Sequence, residues 1–286
     1  MARLRKARQL SYAAYSQAEL DRQYDAASTV PSLQIFLDRY SEESDRTRAA
    51  FANRRAAYGD GEREWLELFP ATQPGAPLFF FVHGGYWRRL SADLLAFVAG
   101  PVVRAGGACA LLNYPLAPAA TLDEIVAAAR RGFAWTVANA RTELNAAPER
   151  IVVGGHSAGG HLAGMIAADT RVALRGVFGL SGLYELEPVR RSNVNDWLQL
   201  PDAAAAERNS PLLHLPRAGT PVFAAAGGDE SDEFRRQSRA YADACGAAGL
   251  AARYLEATGQ NHFTIALELA DPSSELSGML APMLGL

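Results

Sequence analysis

The stretch VVGGHSAGGHLAG, residues 152–164, places Ser157 between Gly155 and Gly159. An apolar run precedes the serine and a run of small residues follows it, so the pattern G-x-S-x-G predicts a sharp strand-to-helix turn with the serine at its tip. A serine hydroxyl is a poor nucleophile unless a neighbouring base takes its proton. Ser157 is therefore a catalytic candidate only if the chain also supplies a base, a carboxylate and an oxyanion site; otherwise it is a hydroxyl in a glycine-rich turn.

Two histidines, His214 and His262, follow Ser157 and lie outside the helix predicted after it. In serine enzymes with this turn, the chain order is serine, then Asp or Glu, then histidine. His214 precedes the strand that should carry the acid, whereas His262 follows the last apolar run. The order therefore predicts His262 as the base.

The acid is expected directly after the apolar run PVFAAAGG, and Asp229 is the first carboxylate there. Glu230, Asp232 and Glu233 are nearby alternatives. Asp232 and Glu233 fit the first turn of the next helix, where carboxylates complement the helix dipole. We predict that Asp229 holds the imidazole of His262 in the required tautomer.

The segment HGGYW, residues 83–87, directly follows the apolar run FFFV and is the candidate oxyanion loop. Glycines leave backbone N–H groups unshielded, so Gly84 and Gly85 are predicted to act together with the N–H of Ala158. Loss of one such donor typically costs ~3 kcal/mol in the transition state. The alternative is a simple turn.

Three aromatic residues are candidates for the wall of a substrate site. Tyr86 and Trp87 follow the oxyanion glycines, and Trp197 lies in the segment 183–220. The alternative for each is an ordinary core or surface aromatic, and for Trp197 the two interpretations have equal weight.

The remaining histidines and the two cysteines do not have the pattern of a metal site. His83, His156 and His161 lack the spacing of a zinc site, so no metal is expected and packing or orienting roles are favoured. Cys109 and Cys245 lie among small apolar residues, which favours buried thiols in a reduced, cytoplasmic protein.

Composition is that of an ordinary globular protein: 286 residues, 49% hydrophobic, 21% charged, with a formal net charge of −3. Neither nucleic-acid nor membrane affinity is indicated, and no secretory signal follows the basic residues Arg3, Arg5, Lys6 and Arg8. The expected partner is a small acyl substrate. A homodimer is allowed, but the sequence does not fix the oligomeric state.

Apolar runs alternate with helical patterns along most of the chain. A mixed strand pattern near residues 62–70 comes first, and the continuous runs are PLFFFVH (77–83), ACALLNY (108–114), RIVVGG (150–155), LRGVFGLSG (174–182), PVFAAAG (221–227) and ARYLEA (252–257). Continuous hydrophobicity predicts strands buried on both faces, hence a mostly parallel sheet flanked by helices in an α/β fold.

One domain, residues 1–286, is predicted, because no repeat or linker divides it. Residues 1–60 are predicted to be a helical extension that could serve as a cap. Residues 183–220 are far longer than a usual connection and are either a lid or a surface excursion.

The segments HGGYW, GGHSAGGHLA, GGDESDEF and NHF together resemble the kynurenine formamidase (arylformamidase) branch of the α/β-hydrolases, near the hormone-sensitive-lipase-like esterases. The likeness runs from about residue 16 to the end. It implies an α/β-hydrolase fold, no cofactor, and cleavage of N-formylkynurenine or of short-chain aryl esters. It implies the same site residues: Ser157 as nucleophile, Asp229 as acid, His262 as base, and Gly84, Gly85 and Ala158 as oxyanion donors.

Three functions stay open on the sequence. The first is hydrolysis of an aryl formamide such as N-formylkynurenine. The second is the same chemistry on short-chain carboxylic esters, which differ only in leaving group and pocket. The third is a hydrolase fold that binds a small ligand without turnover; such proteins usually lack part of the triad, whereas this chain has every member in order.

Overall fold

Eight strands form one sheet in the computed structural model, which describes residues 12–286. The basic residues of the first segment, Arg3 to Arg8, lie outside the described residues. The strands are β1 (Arg54–Ala57), β2 (Trp65–Phe69), β3 (Ala76–Val82), β4 (Ala108–Leu112), β5 (Ala146–His156), β6 (Gly176–Leu180), β7 (Val222–Gly227) and β8 (Ala252–Ala257).

Helices pack on this sheet. The α-helices are α1 (Gln17–Gln23), α2 (Leu33–Ala50), α3 (Ala99–Arg104), α4 (Leu122–Leu144), α5 (Ala158–Asp169), α6 (Leu186–Arg191), α7 (Asn195–Leu198), α8 (Ala203–Arg208), α9 (Asp232–Ala247), α10 (Thr264–Leu267) and α11 (Glu275–Leu284). Short 3-10 turns cover Tyr12–Ala14, Ala26–Thr29, Ala92–Val98, Pro211–Leu213 and Glu268–Ala270. None of the helices described over residues 12–286 is long and apolar enough to cross a membrane.

The strand order is β1-β2-β4-β3-β5-β6-β7-β8. The pairs β1–β2 and β2–β4 are antiparallel, and every later pair is parallel. Every residue of β3, β4 and β7 is buried, which is why their sequences are continuously apolar. The prediction of a mostly parallel α/β sheet is confirmed.

In residues 12–60, the described part of the segment 1–60, the structure differs from the prediction in one respect. Helices α1 and α2 form as expected, and Ser16 and Glu19 make the predicted capping box. Residues Arg54–Ala57, however, form the edge strand β1 rather than a helix. This strand is largely exposed and reads RRAA, so it carries no apolar run that could have indicated a strand.

The segment 183–220 lies between β6 and β7 and contains the short helices α6, α7 and α8. It contacts the first helix: the side chain of Gln17 donates to the carbonyl of Arg191 at 2.8 Å, and the Asp21 carboxylate accepts from the backbone N–H of Asn193 at 2.8 Å. The amino-terminal helices and this segment thus cover the same end of the sheet. That either moves as a lid remains a prediction.

Candidate active site

Ser157 lies in the turn between β5 and α5, with φ of 57° and ψ of −122°. A non-glycine residue in this region of backbone space is strained, and the turn holds the hydroxyl beyond the end of the strand. Glycine is required at position 159 because a Cβ there would overlap the carbonyl oxygen of Val82 in β3. The predicted strand-turn-helix geometry is therefore present, and only small residues allow its close packing.

His262 reaches Ser157 from the loop that follows β8. Its Nε2 lies 3.0 Å from the Oγ of Ser157, within hydrogen-bonding distance, and both residues are 5% exposed or less. His214, the other histidine that follows the serine, is exposed on the segment 183–220 and lies against the carbonyl of Glu207. The structure thus brings together Ser157 and the histidine that the chain order favours.

The carboxylate beside His262 belongs to Glu230, and the prediction of Asp229 is corrected on this point. Oε2 of Glu230 lies 2.7 Å from Nδ1 of His262, and the Glu230 side chain is fully buried. Asp229 is exposed; its backbone N–H donates to the carbonyl of Gln260 at 3.0 Å, while its side chain makes no hydrogen bond within residues 12–286. The turn after β7 therefore directs the first carboxylate outward and the second inward.

Two donors hold the other oxygen of the Glu230 carboxylate. The backbone N–H of Gly227 donates to Oε1 at 2.6 Å, and the hydroxyl of Ser181 donates to the same atom at 2.5 Å. Ser181 is fully buried at the end of β6 and has a φ of 51°, so strained backbone aims its side chain at the carboxylate. Ser181 was not predicted from the sequence, where the LSG that ends the run LRGVFGLSG is the one signal for it.

The glycines of the HGGYW segment lie beside the nucleophile. A Cβ on Gly84 would be only 3.0 Å from the Cβ of Ser157, and Gly85 has a φ of 106° that favours glycine. Ala158 is the first residue of α5, so its N–H has no acceptor inside the helix. The glycine loop and the first residue of α5 thus both lie beside Ser157, and that their N–H groups bind an oxyanion remains a proposal.

The three remaining histidines near the turn make protein contacts. Nε2 of His156 lies 2.7 Å from the carbonyl of His262, and Nε2 of His161 lies 2.7 Å from the carbonyl of Asn209. Burial, the largest cause, lowers the pKa of His156 well below its usual range, the pKa of His161 to about 4 and the pKa of His83 to about 3. Over residues 12–286, no group of three metal-binding side chains comes together.

A cavity of about 320 Å³ opens onto Ser157 and His262. Its walls come from the turn after α1, from the start of α2, from the HGGYW loop and from the segment 183–220. The lining is mainly apolar and aromatic, with Tyr24, Leu33, Leu37, Tyr40, Tyr86, Leu90, Leu95, Trp197 and Phe263. An apolar cavity with a few polar groups beside a reactive side chain is the usual form of a small-molecule site.

Two of the three predicted wall aromatics line this cavity, namely Tyr86 and Trp197, with ring centroids 6.4 Å apart. Trp87 does not line it, and the prediction for this residue is wrong. Its side chain is fully buried, and its indole N–H donates to Nδ1 of His161 at 3.1 Å. Trp87 has a φ of 56°, and the tight turn directs its ring into the core beside α5.

The sequence of this chain is similar to those of known α/β-hydrolases. A family profile for the alpha/beta hydrolase fold matches residues 79–266. The kynurenine formamidase of Danio rerio is 32% identical over 241 residues, which cover 80% of each chain.

Solved structures agree on the fold. A protein from Silicibacter sp. tm1040, provisionally described as a thioesterase, superposes with a TM-score of 0.80 at 29% identity, covering 91% of this chain and 98% of the other. EstE1, a carboxylesterase from a metagenomic library, gives a TM-score of 0.70 at 20% identity over 88% and 96% of the two chains. At that identity the likeness concerns the fold alone.

Proposed function

Because this chain belongs to the kynurenine formamidase group of the α/β-hydrolases, we propose that it hydrolyses an aryl formamide such as N-formylkynurenine. The observation that carries the proposal is the contact of the Ser157 hydroxyl with His262 at 3.0 Å, at the base of a cavity with aromatic walls. The products would be formate and an aryl amine.

In the first half of the proposed reaction, Ser157 Oγ attacks the formyl carbon while Nε2 of His262 takes the hydroxyl proton. Glu230, 2.7 Å from Nδ1, keeps that nitrogen protonated and stabilises the imidazolium without itself taking a proton. The carbonyl oxygen becomes an oxyanion, for which the N–H groups of Gly84 or Gly85 and of Ala158 are the proposed donors.

In the second half, the imidazolium of His262 gives its proton to the aryl nitrogen, so that the amine leaves and Ser157 carries a formyl ester. A water molecule, deprotonated by Nε2 of His262, then attacks this ester. The second oxyanion collapses, Ser157 recovers its proton from His262, and formate leaves.

A second candidate is hydrolysis of short-chain carboxylic or thioesters. The 29% identical Silicibacter protein with its TM-score of 0.80 favours this class, because its description concerns thioester cleavage. The same Ser157 chemistry serves both substrates, since only the leaving group differs. Esters expel a better leaving group than formamides, so ester cleavage alone does not establish the natural substrate.

The deciding experiment compares kcat/KM for N-formylkynurenine and formanilide with kcat/KM for p-nitrophenyl esters of increasing acyl length. Rapid formamide cleavage is expected. Formamide rates at the level of the buffer, together with rapid cleavage of short esters, would overturn the formamidase proposal in favour of the second candidate.

The third class, binding without turnover, is tested separately with a fluorophosphonate probe. A nucleophilic serine is expected to be labelled in the wild type and not in Ser157→Ala. Absence of labelling in a folded wild-type protein would contradict the catalytic proposal for both substrate classes.

A further inference from the structure

Arg88 lies in the wall of the cavity, one turn beyond the candidate oxyanion glycines. The carbon of its guanidinium is 4.0 Å from the ring centroid of Trp197, and the residue is half-buried. Arg89 is exposed and lines the same cavity. An arginine on an aromatic face is held in place by cation–π attraction, so the Arg88 charge has a defined position.

In the part of the chain that the structure describes, neither arginine has an acidic partner. Within residues 12–286, the side chains of Arg88 and Arg89 form no ion pair or hydrogen bond. By contrast, Arg236, which is also half-buried, binds the carboxylates of Glu233 and Glu185. A half-buried guanidinium without a counter-ion leaves five planar N–H donors that match a carboxylate.

The charge of the cavity points to the same ligand class. Asp25 is the one acidic side chain among the described residues that line the cavity, whereas two arginines, Arg88 and Arg89, line it. Asp25 is exposed, and its carboxylate already accepts from the backbone N–H of Ser28 at 3.2 Å. The lining is thus net positive, with one carboxylate available to an ammonium group.

The arginines are also tied to the catalytic loop. The backbone N–H groups of Arg88 and Arg89 donate to the carbonyl of Gly85 at 3.1 and 2.9 Å. A ligand held by these side chains is therefore fixed relative to the glycines beside Ser157. Binding energy from a remote group of the substrate can orient the reacting bond in this way.

We propose that Arg88, assisted by Arg89, forms a carboxylate subsite that selects aryl formamides whose leaving group is an α-amino acid. Asp25 supplies the complementary charge for the α-ammonium group. This inference rests on the proposed function, because it names the leaving group that the same site accepts. N-formylkynurenine has such a head group, and 2-formamidoacetophenone is the same aryl formamide without it.

The test compares these two formamides in the wild type, Arg88→Gln and Arg88→Lys, with Arg141→Gln as the matched control. Arg141 is exposed and pairs with Glu149 away from the cavity. In Arg88→Gln, kcat/KM for N-formylkynurenine is expected to fall about 10- to 100-fold, mainly through KM, because a charge-assisted hydrogen bond is lost. The fall for 2-formamidoacetophenone should be markedly smaller, and Arg88→Lys should lie between the wild type and Arg88→Gln.

Equal falls for both formamides, or no fall for either, would overturn the subsite. Titration calorimetry with L-kynurenine separates this outcome from failure of the proposed function, because it needs no turnover. Binding by the wild type that weakens about 10- to 100-fold in Arg88→Gln supports the subsite even if no formamide is cleaved. Affinity for L-kynurenine that is unchanged by Arg88→Gln, or no better than for 2-aminoacetophenone, rejects the subsite even if formamides are cleaved.

Discussion

Nδ1 of His262 and Oε2 of Glu230 lie 2.7 Å apart, and neither side chain is more than 6% exposed. Asp229, the neighbouring residue, points into solvent. Glu230→Gln keeps the shape of the side chain but removes its charge, so kcat is expected to fall by about 10⁴-fold, as loss of a triad carboxylate does elsewhere. Asp229→Asn is the matched control and should leave kcat near the wild-type value.

The kcat of both variants is measured by steady-state kinetics on the best substrate of the panel, after circular dichroism has shown that each protein is folded. A large loss in Asp229→Asn with little change in Glu230→Gln would contradict the assignment of Glu230.

Ser181 is expected to be a positioning residue that acts through Glu230. Its hydroxyl and the Gly227 amide hold the Oε1 atom of that carboxylate. Ser181→Ala should lower kcat by about 10- to 100-fold, the value of a hydrogen bond to a charged group. If Ser181 acts only through the carboxylate, the same substitution should have little further effect in a Glu230→Gln background, and additive effects would reject this role.

The two tryptophans near the cavity should respond differently. Trp197 forms part of the wall and carries Arg88 on its face, so Trp197→Ala should raise KM for aryl substrates by about 10-fold. Trp87 donates to His161 in the core, so Trp87→Phe should reduce the free energy of unfolding by about 1–3 kcal/mol and leave KM unchanged. Denaturant unfolding and KM measured on both variants check this expectation, which a raised KM in Trp87→Phe would contradict.

His161 should make the protein less stable in mild acid. Burial lowers its pKa from the ordinary 6.5 to about 4 in the folded protein. Between these values the unfolded chain binds a proton that the folded protein does not, so the free energy of unfolding falls as the pH falls from 6.5 towards 4. The contribution is at most about 1.4 kcal/mol per pH unit.

The measurement is the slope of unfolding free energy against pH, from urea titrations between neutral pH and the acid side of this window. The slope should be smaller in His161→Gln than in the wild type, whatever its absolute stability. The exposed His214→Gln serves as the control. An unchanged slope in His161→Gln would mean that this histidine is not held neutral by the fold.

The sequence was sufficient to predict those parts of the site that follow from a local motif or from the order of residues along the chain. Ser157 was recognisable because G-x-S-x-G stood between a strand run and a helical run, and His262 because it alone followed the last strand. The buried strands were recognisable because both of their faces are covered and their sequences are continuously apolar.

The errors arose where a tight turn decides the direction of a side chain. Asp229 and Glu230 are adjacent, and the rule of chain order fits both, so only the path of the backbone after β7 separates them. Tyr86 and Trp87 are also adjacent, and both have positive φ, yet one lines the cavity and the other enters the core. Residue type and spacing contain little information on such choices.

The claim that Ser157 is the nucleophile of an aryl formamidase is tested by the rate of N-formylkynurenine hydrolysis in the wild type and in Ser157→Ala. The wild type is expected to release kynurenine and formate in equal amounts, and Ser157→Ala is expected to lose nearly all of this rate while remaining folded. A wild-type rate no greater than that of buffer, or a Ser157→Ala rate close to that of the wild type, would contradict the claim.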